Sequence, residues 1–287
     1  MLLDTDIGSD IDDAVALAYL LKKPQCDLLG VTTVSGDVQK RAALADAICR
    51  SVGRPDVPIH CGRREVLVHG PGQPNVPQFE AIAGTEPKLD RPENDAVSFL
   101  RRTIRSRPGE ITLLTIGPYS NIALLFAIDP EIPHLLKDIV SMGGIFYGGD
   151  RREWNALVDP VATAMVYKAD RPRHLSVGLD VTEKCRMSAD EVRSRFVAEP
   201  LLTVAKMATT WFRNVGEITF HDPLAAALIF HPEICTYEYG TVEVFFAEDE
   251  HAGHTKLVAG KGADRVAKTV DVDAFFAEYF NVVLGAG

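Results

Sequence analysis

Five aspartates, Asp4, Asp6, Asp10, Asp12 and Asp13, fall within ten residues near the start of this 287-residue chain. Carboxylates crowded this closely repel one another unless something cationic joins them. Capping a helix uses one or two such acids, so five exceed a structural need. Hard oxygen donors at this density suit Ca²⁺ or Mg²⁺. Four further polar stretches are candidates for the same site: Ser35-Gly36-Asp37, residues 116–121 (IGPYSN), residues 141–144 (SMGG) with Glu153-Trp154-Asn155, and His221-Asp222-Pro223. Each has a purely structural reading. Asp37 can cap a helix, Gly143-Gly144 can make a turn, Asn155 can be a turn residue, and Asp222-Pro223 can be a cap followed by a first-turn proline. Each also lies where an apolar strand ends or a polar helix begins. In a parallel sheet that places them on one rim.

The elements that must position these residues are legible in the apolar pattern. Residues 1–3 are a short apolar run and residues 14–21 an apolar helix. Gly8 allows the sharp turn between them, and Ser9, Asp10 or Asp12 can cap the helix. Strands are expected at 28–34, 57–61, 111–116, 139–142 and 174–179, and helices at 39–52, 95–105, 121–128 and 161–168. This alternation predicts an α/β fold, a mostly parallel central sheet flanked by helices. Beyond residue 179 the pattern changes. Extra helices are expected at 189–196, 201–214, 224–230 and 272–284. A strand at 241–247 can pair with short ones at 256–258 and 266–269. Residues 63–92 form a long loop rich in Gly and Pro, and loops of that length are usually functional or mobile. No repeat or linker divides the chain, so a single domain over 1–287 is expected.

Composition narrows the function. An apolar share of 46% and 17 prolines describe an ordinary globular protein. A net charge of −10, with no extended basic patch, argues against nucleic acid or an anionic membrane as partner. Five scattered cysteines without a CxxC read as reduced thiols in a cytoplasmic protein. No secretory leader is expected at the N-terminus, and no apolar run is long enough to span a bilayer.

The ordered set DTDIGSDIDDAVAL, VTTVSGD, VHG, TIGPYSNIAL, SMGG, EWNALVDPVAT and FHDPLA resembles the inosine–uridine preferring nucleoside hydrolase family. The resemblance runs from residue 2 to about residue 230. It implies Ca²⁺-dependent hydrolysis of the N-glycosidic bond of ribonucleosides to ribose and free base, a purine or pyrimidine salvage reaction. It implies metal ligands at Asp6, Asp13 and Asp222 and at the backbone carbonyl of Ile116. By the same resemblance Asp12 is the general base, Asp4 supports the loop, and Glu153 and Asn155 hold sugar hydroxyls. Met142 then lines the ribose pocket, His221 is a proton donor to the leaving base, and His69 lies on a mobile loop over the base. Family members are commonly homo-oligomers, dimers or tetramers, acting on a small nucleoside.

Elementary chemistry agrees. Ribosyl transfer passes through an oxocarbenium-like state, which acids beneath the ring favour. A histidine suits the poor leaving group. This chain also departs from the family pattern. The common loop is DxDPGxDDA, whereas here two more residues precede Asp12-Asp13 and Asp10 is an added acid, an alternative base. Asp37 stands where an asparagine usually contacts the sugar. Residues 145–152 lack the asparagine that helps bind the 5′-hydroxyl, for which Tyr147 or Asp150 are substitutes. These departures keep open a non-catalytic nucleoside- or sugar-binding protein on the same fold. Asp4-Thr5-Asp6 alone also fits a Mg²⁺-dependent phosphatase, which leaves the FHDP and EWN motifs unexplained.

Overall fold

A computed structural model describes residues 1–84, 92, 94–171 and 173–285. Thr85–Arg91, part of the long loop expected at 63–92, lie outside the described residues. The strands are β1 (Leu2–Thr5), β2 (Gly30–Thr33), β3 (Ile59–Cys61), β4 (Thr112–Thr115), β5 (Asp138–Met142), β6 (His174–Val177), β7 (Arg186–Ser188), β8 (Glu217–Thr219), β9 (Cys235–Val244), β10 (Thr255–Ala259) and β11 (Asp264–Val270). Nine of them form one sheet in the order β10-β9-β11-β6-β5-β4-β1-β2-β3. From β6 to β3 every pairing is parallel.

The parallel strands are short, almost wholly buried and rich in apolar and β-branched residues, as strands covered on both faces are. Neighbouring residues feed opposite faces. Leu3, Leu114 and Val140 enter one apolar cluster, and Leu2, Leu113 and Ile139 the other. Strand order reverses at β1, which has β2 on one side and β4 on the other. A crevice opens beyond the carboxyl ends of strands at such a switch point. The acidic stretch leaves β1 there, beside Ile116 at the end of β4.

The C-terminal strands are longer than their sequence signal. The expected 241–247 strand is Cys235–Val244, and β11 pairs antiparallel with it and parallel with β6. The last three strands therefore extend the main sheet. The pair β7–β8 forms a separate antiparallel ribbon that the sequence did not signal, because three residues are too few to show a period. Two short helices, Ile132–Leu135 and Trp154–Val158, are likewise too brief to carry one.

Helix Asp12–Lys22 is buried along nearly its whole length and packs against helix His221–Leu228. Alanines dominate the second helix and alternate through the first, so the two come close together. That packing brings the first turns of both helices to one place. The sequence reading starts the first helix at residue 14 and the second at 224. The structure starts them earlier, and Asp12, Asp13 and Asp222 sit in first turns rather than on loops.

Candidate active site

The crevice beyond β1 and β4 is a cavity of about 540 Å³. It gathers Asp6, Asp10, Asp12, Asp13, Ile116, Met142, Glu153, Asn155, His221 and Asp222, which come from five separate stretches of chain. Two sequence candidates lie elsewhere. Asp37 caps helix Val38–Ser51, accepting from Lys40 N at 3.2 Å and pairing with Lys40 Nζ at 3.1 Å. His69 is half-buried, with Nε2 donating to the Phe246 carbonyl at 2.9 Å. Neither lines the cavity.

Carboxylate oxygens of Asp12, Asp13 and Asp222 lie within 4.8 Å of one another, and all three residues are buried. Asp6 lines the same cavity. Burial and mutual repulsion hold the carboxyls of Asp12, Asp13 and Asp222 well above the ordinary range. Asp10, nearer the rim, is pushed to about 6, mainly by burial. Asp12 Oδ2 accepts from Asp222 N at 3.2 Å, and the Thr5 hydroxyl donates to Asp13. Two helix N-termini favour negative charge here, but they do not neutralise a cluster of acids. The donor set, all hard oxygens and all buried, fits a divalent cation.

The loop before this cluster is held by Arg41, which no sequence signal marked except its place on the buried stripe of its helix. Arg41 is wholly buried. Its guanidinium donates to the carbonyls of Asp6 and Ile7, to Ser35 O at 2.7 Å, to Ser9 Oγ at 3.1 Å and to Gln73 O at 2.7 Å. One cation thus fastens the acidic loop, the β2 loop and the long loop. The long loop is tied down further: Ser9 Oγ donates to Asn75 O, and Gln78 Nε2 to the carbonyls of Ser9 and Asp10. Gln73, Asn75 and Pro77 then line the cavity.

Behind the cluster, Asp4 Oδ1 accepts from Thr32 Oγ1 at 2.5 Å and Asn121 Nδ2 at 2.7 Å. Its Oδ2 is buried without a partner among the described residues, and burial lifts the carboxyl to about 7. On the β5 side, Glu153 caps the short helix Trp154–Val158. Its carboxylate accepts from Asn155 N at 2.8 Å, Ala156 N at 2.9 Å and Gly144 N at 2.9 Å. Asn155 Nδ2 donates to Ile116 O at 2.8 Å and Met142 O at 3.2 Å. Both donors of that amide are spent on carbonyls, which leaves its Oδ1 as the group available to a ligand. Asn155 is therefore a helix residue aimed at the cavity, not a turn residue.

Residues 145–152 bring only Arg152 to this cavity. Tyr147 and Asp150, the expected substitutes for the missing asparagine, line a different cavity with Phe245, His251 and His254. The mouth carries Trp154 of the marked EWN stretch and three residues the sequence left unmarked, Trp211, Leu179 and Glu183. His221 lines the same cavity from the first turn of the helix that carries Asp222. Its Nδ1 lies 2.7 Å from the Thr182 hydroxyl, and burial lowers its pKa to about 4.

Comparison with known proteins accords with this geometry. The model of the inosine-uridine preferring nucleoside hydrolase family matches residues 1–277. Uridine nucleosidase 1 of Arabidopsis thaliana is 28% identical over 285 residues, 91% of this chain and 82% of its own. The pyrimidine-specific ribonucleoside hydrolase RihA of Salmonella enteritidis is 29% identical over 259 residues, covering 82% of this chain and 81% of its own. Among solved structures, the purine-preferring ribonucleoside hydrolase from Gardnerella vaginalis superposes with a TM-score of 0.85 at 24% identity, over 99% of this chain and 98% of that one. The chain belongs to the inosine-uridine preferring nucleoside hydrolase family, which makes it an enzyme of the nucleoside hydrolase class.

Proposed function

We propose that this protein hydrolyses the N-glycosidic bond of ribonucleosides, releasing ribose and free base, with Ca²⁺ held in the acidic crevice. The observation that carries the reading is the convergence of Asp12, Asp13 and Asp222 at the first turns of two packed helices, on the floor of a cavity wide enough for a nucleoside. Asp6, Asp13 and Asp222, with the Ile116 carbonyl, are the proposed ligands. When bound there, Ca²⁺ supplies Lewis acidity that favours deprotonation of water and grips vicinal hydroxyls.

The chain's own groups do the rest. Asp12 takes the proton of the attacking water, its Oδ2 steadied by the Asp222 amide. Asp12 is preferred to Asp10 as base because it faces the other acids, whereas Asp10 Oδ1 accepts from Ile11 N at 2.6 Å at the rim. The acids beneath the ring favour the positive charge that develops as the bond to the base lengthens. Asn155 Oδ1 accepts a sugar hydroxyl, Met142 packs against the ribose, and Glu153 anchors the 5′ end. His221 meets the leaving base.

Relatives by name include pyrimidine-specific and uridine enzymes, and a purine-preferring enzyme shares the fold. Base choice is accordingly a matter of the cavity mouth, where Trp154, Trp211 and Leu179 offer apolar faces. We place the enzyme in the cytoplasm, acting on free nucleosides in salvage, as a homo-oligomer. Among the described residues no helix is long and apolar enough to cross a membrane. The test is turnover of a ribonucleoside panel with Ca²⁺ and with a chelator, read as reducing sugar. Binding without release of sugar would leave a nucleoside-binding protein instead.

A further inference from the structure

Thr182 is fully buried at the end of the short helix Leu179–Thr182 that follows β6. Among the described residues its hydroxyl has one hydrogen-bond partner, Nδ1 of His221, at 2.7 Å. The pairing is enforced from both sides. Cys185 N donates to Thr182 O at 3.0 Å, and Phe220 N donates to Cys185 O at 2.8 Å. The ribbon then carries the same two segments onward in register, Arg186 opposite Thr219 and Ser188 opposite Glu217. The turn that ends in Thr182 and the helix that starts at His221 are thereby laced together.

A neutral imidazole has one N–H and one bare nitrogen, and the partner decides which is which. With the hydrogen on Nδ1, His221 would donate to Thr182 Oγ1. The hydroxyl hydrogen would then have no acceptor in a fully buried place, which is costly. With the hydrogen on Nε2, Thr182 donates to Nδ1 and both groups are satisfied. With Nδ1 engaged by Thr182, Nε2–H is the ring group of His221 left for a ligand in the cavity that this residue lines.

We propose that Thr182 is a positioning residue that holds neutral His221 as its Nε2–H tautomer, so that the histidine meets the leaving base as a hydrogen-bond donor. The role in turnover rests on the nucleoside-hydrolysis reading. The bond from C1′ to the base nitrogen breaks, and its electron pair goes to the base. Nε2–H hydrogen-bonds to the base as that charge develops, and the base then takes its proton from the medium. Water supplies the hydroxyl at C1′, its own proton passing to Asp12 and on to solvent.

Thr182→Val keeps the shape and removes the hydroxyl. Turnover of inosine and uridine should fall by about tenfold or more, the order of one hydrogen bond to a developing charge. A p-nitrophenyl riboside, whose phenolate leaves unaided, should change by less than about twofold. Thr182→Ser should restore nucleoside turnover. Nitrogen-15 spectra of the His221 ring, which need no substrate, should show Nε2–H in the parent and a mixture in Thr182→Val. Equal losses on both ribosides, a Ser variant as impaired as Val, or Nδ1–H in the parent would overturn the assignment. A parent inactive on every riboside yet showing Nε2–H would retire the hydrolysis reading and uphold the Thr182–His221 pairing.

Discussion

At the scale of single residues, the crowded acids divide by what each one touches. Asp13 is buried against the Thr5 hydroxyl and faces Asp12 and Asp222. Asp13→Ala is expected to abolish Ca²⁺ binding by calorimetry while leaving the far-UV spectrum unchanged; a variant that binds like the parent removes Asp13 from the ligand set. Asp12→Asn should keep Ca²⁺ and lose roughly 10²–10⁴-fold in kcat, the usual range for a general base. If Asp10→Asn shows that loss in its place, the added acid of the longer loop is the base. The 5′ end of the sugar is a second test. Glu153 is already accepting from three backbone amides, and residues 145–152 contain no asparagine to share the 5′-hydroxyl with it. Removing the substrate's 5′-hydroxyl should therefore lower kcat/KM by about 10- to 150-fold, the equivalent of the single hydrogen bond to the Glu153 carboxylate that is retained. A larger penalty, measured with a 5′-deoxyribonucleoside, would mean that Arg152 or another group has taken the asparagine's place.

At the scale of elements, the site depends on how the acidic loop is held between β1 and helix Asp12–Lys22. That helix has no side-chain cap at Ile11, so its start is set from outside, by the Arg41 guanidinium and by Gln78. Gly36 adds to the same junction. Its φ is +65°, and a Cβ there would collide with the Gln73 carbonyl that Arg41 holds. Arg41→Met keeps the bulk of the stem and removes the guanidinium. Several buried carbonyls would lose their donor, so stability should fall by about 3 kcal/mol or more in denaturant titration. Ca²⁺ affinity should fall with it, because the loop carrying Asp6 is released. A Met variant as stable as the parent would show that the loop holds itself.

At the scale of the whole molecule, the buried acids make stability depend on pH and on metal in a linked way. In the metal-free protein the carboxyls of Asp12, Asp13 and Asp222 are held well above the ordinary range, and that of Asp4 is about 7. The folded state then binds more protons than the unfolded one. Stability from these groups is present at low pH and is lost as pH rises through the folded pKa values. His221 and His174, both lowered by burial, act in the opposite sense, but only below their ordinary pKa of about 6.5. Between pH 6.5 and 8 the acids are therefore the larger influence. The melting temperature of chelator-treated protein should fall across that window, and the gain on adding Ca²⁺ should be larger at pH 8 than at pH 6.5. A gain independent of pH would place the cation away from these carboxylates.

The order of short apolar strands and amphipathic helices determined a parallel sheet, because burial on both faces demands that composition. The acids of 4–13 announced a cation site by charge density alone. The motif set carried the family through its order along the chain. Tertiary structure decided the rest. Asp37 and His69 were indistinguishable from cavity residues in sequence, yet one caps a helix and the other bonds a distant carbonyl. Arg41, Thr182 and Trp211 sit at ordinary positions in their elements and acquire meaning only from groups far along the chain. Glu153 and Asn155 lie on a helix too short to have a period. The common reason is that local pattern reports which face of an element is apolar. Which distant groups meet across the crevice is set by strand order and by the close packing of two alanine-rich helices, and neither has a local signature.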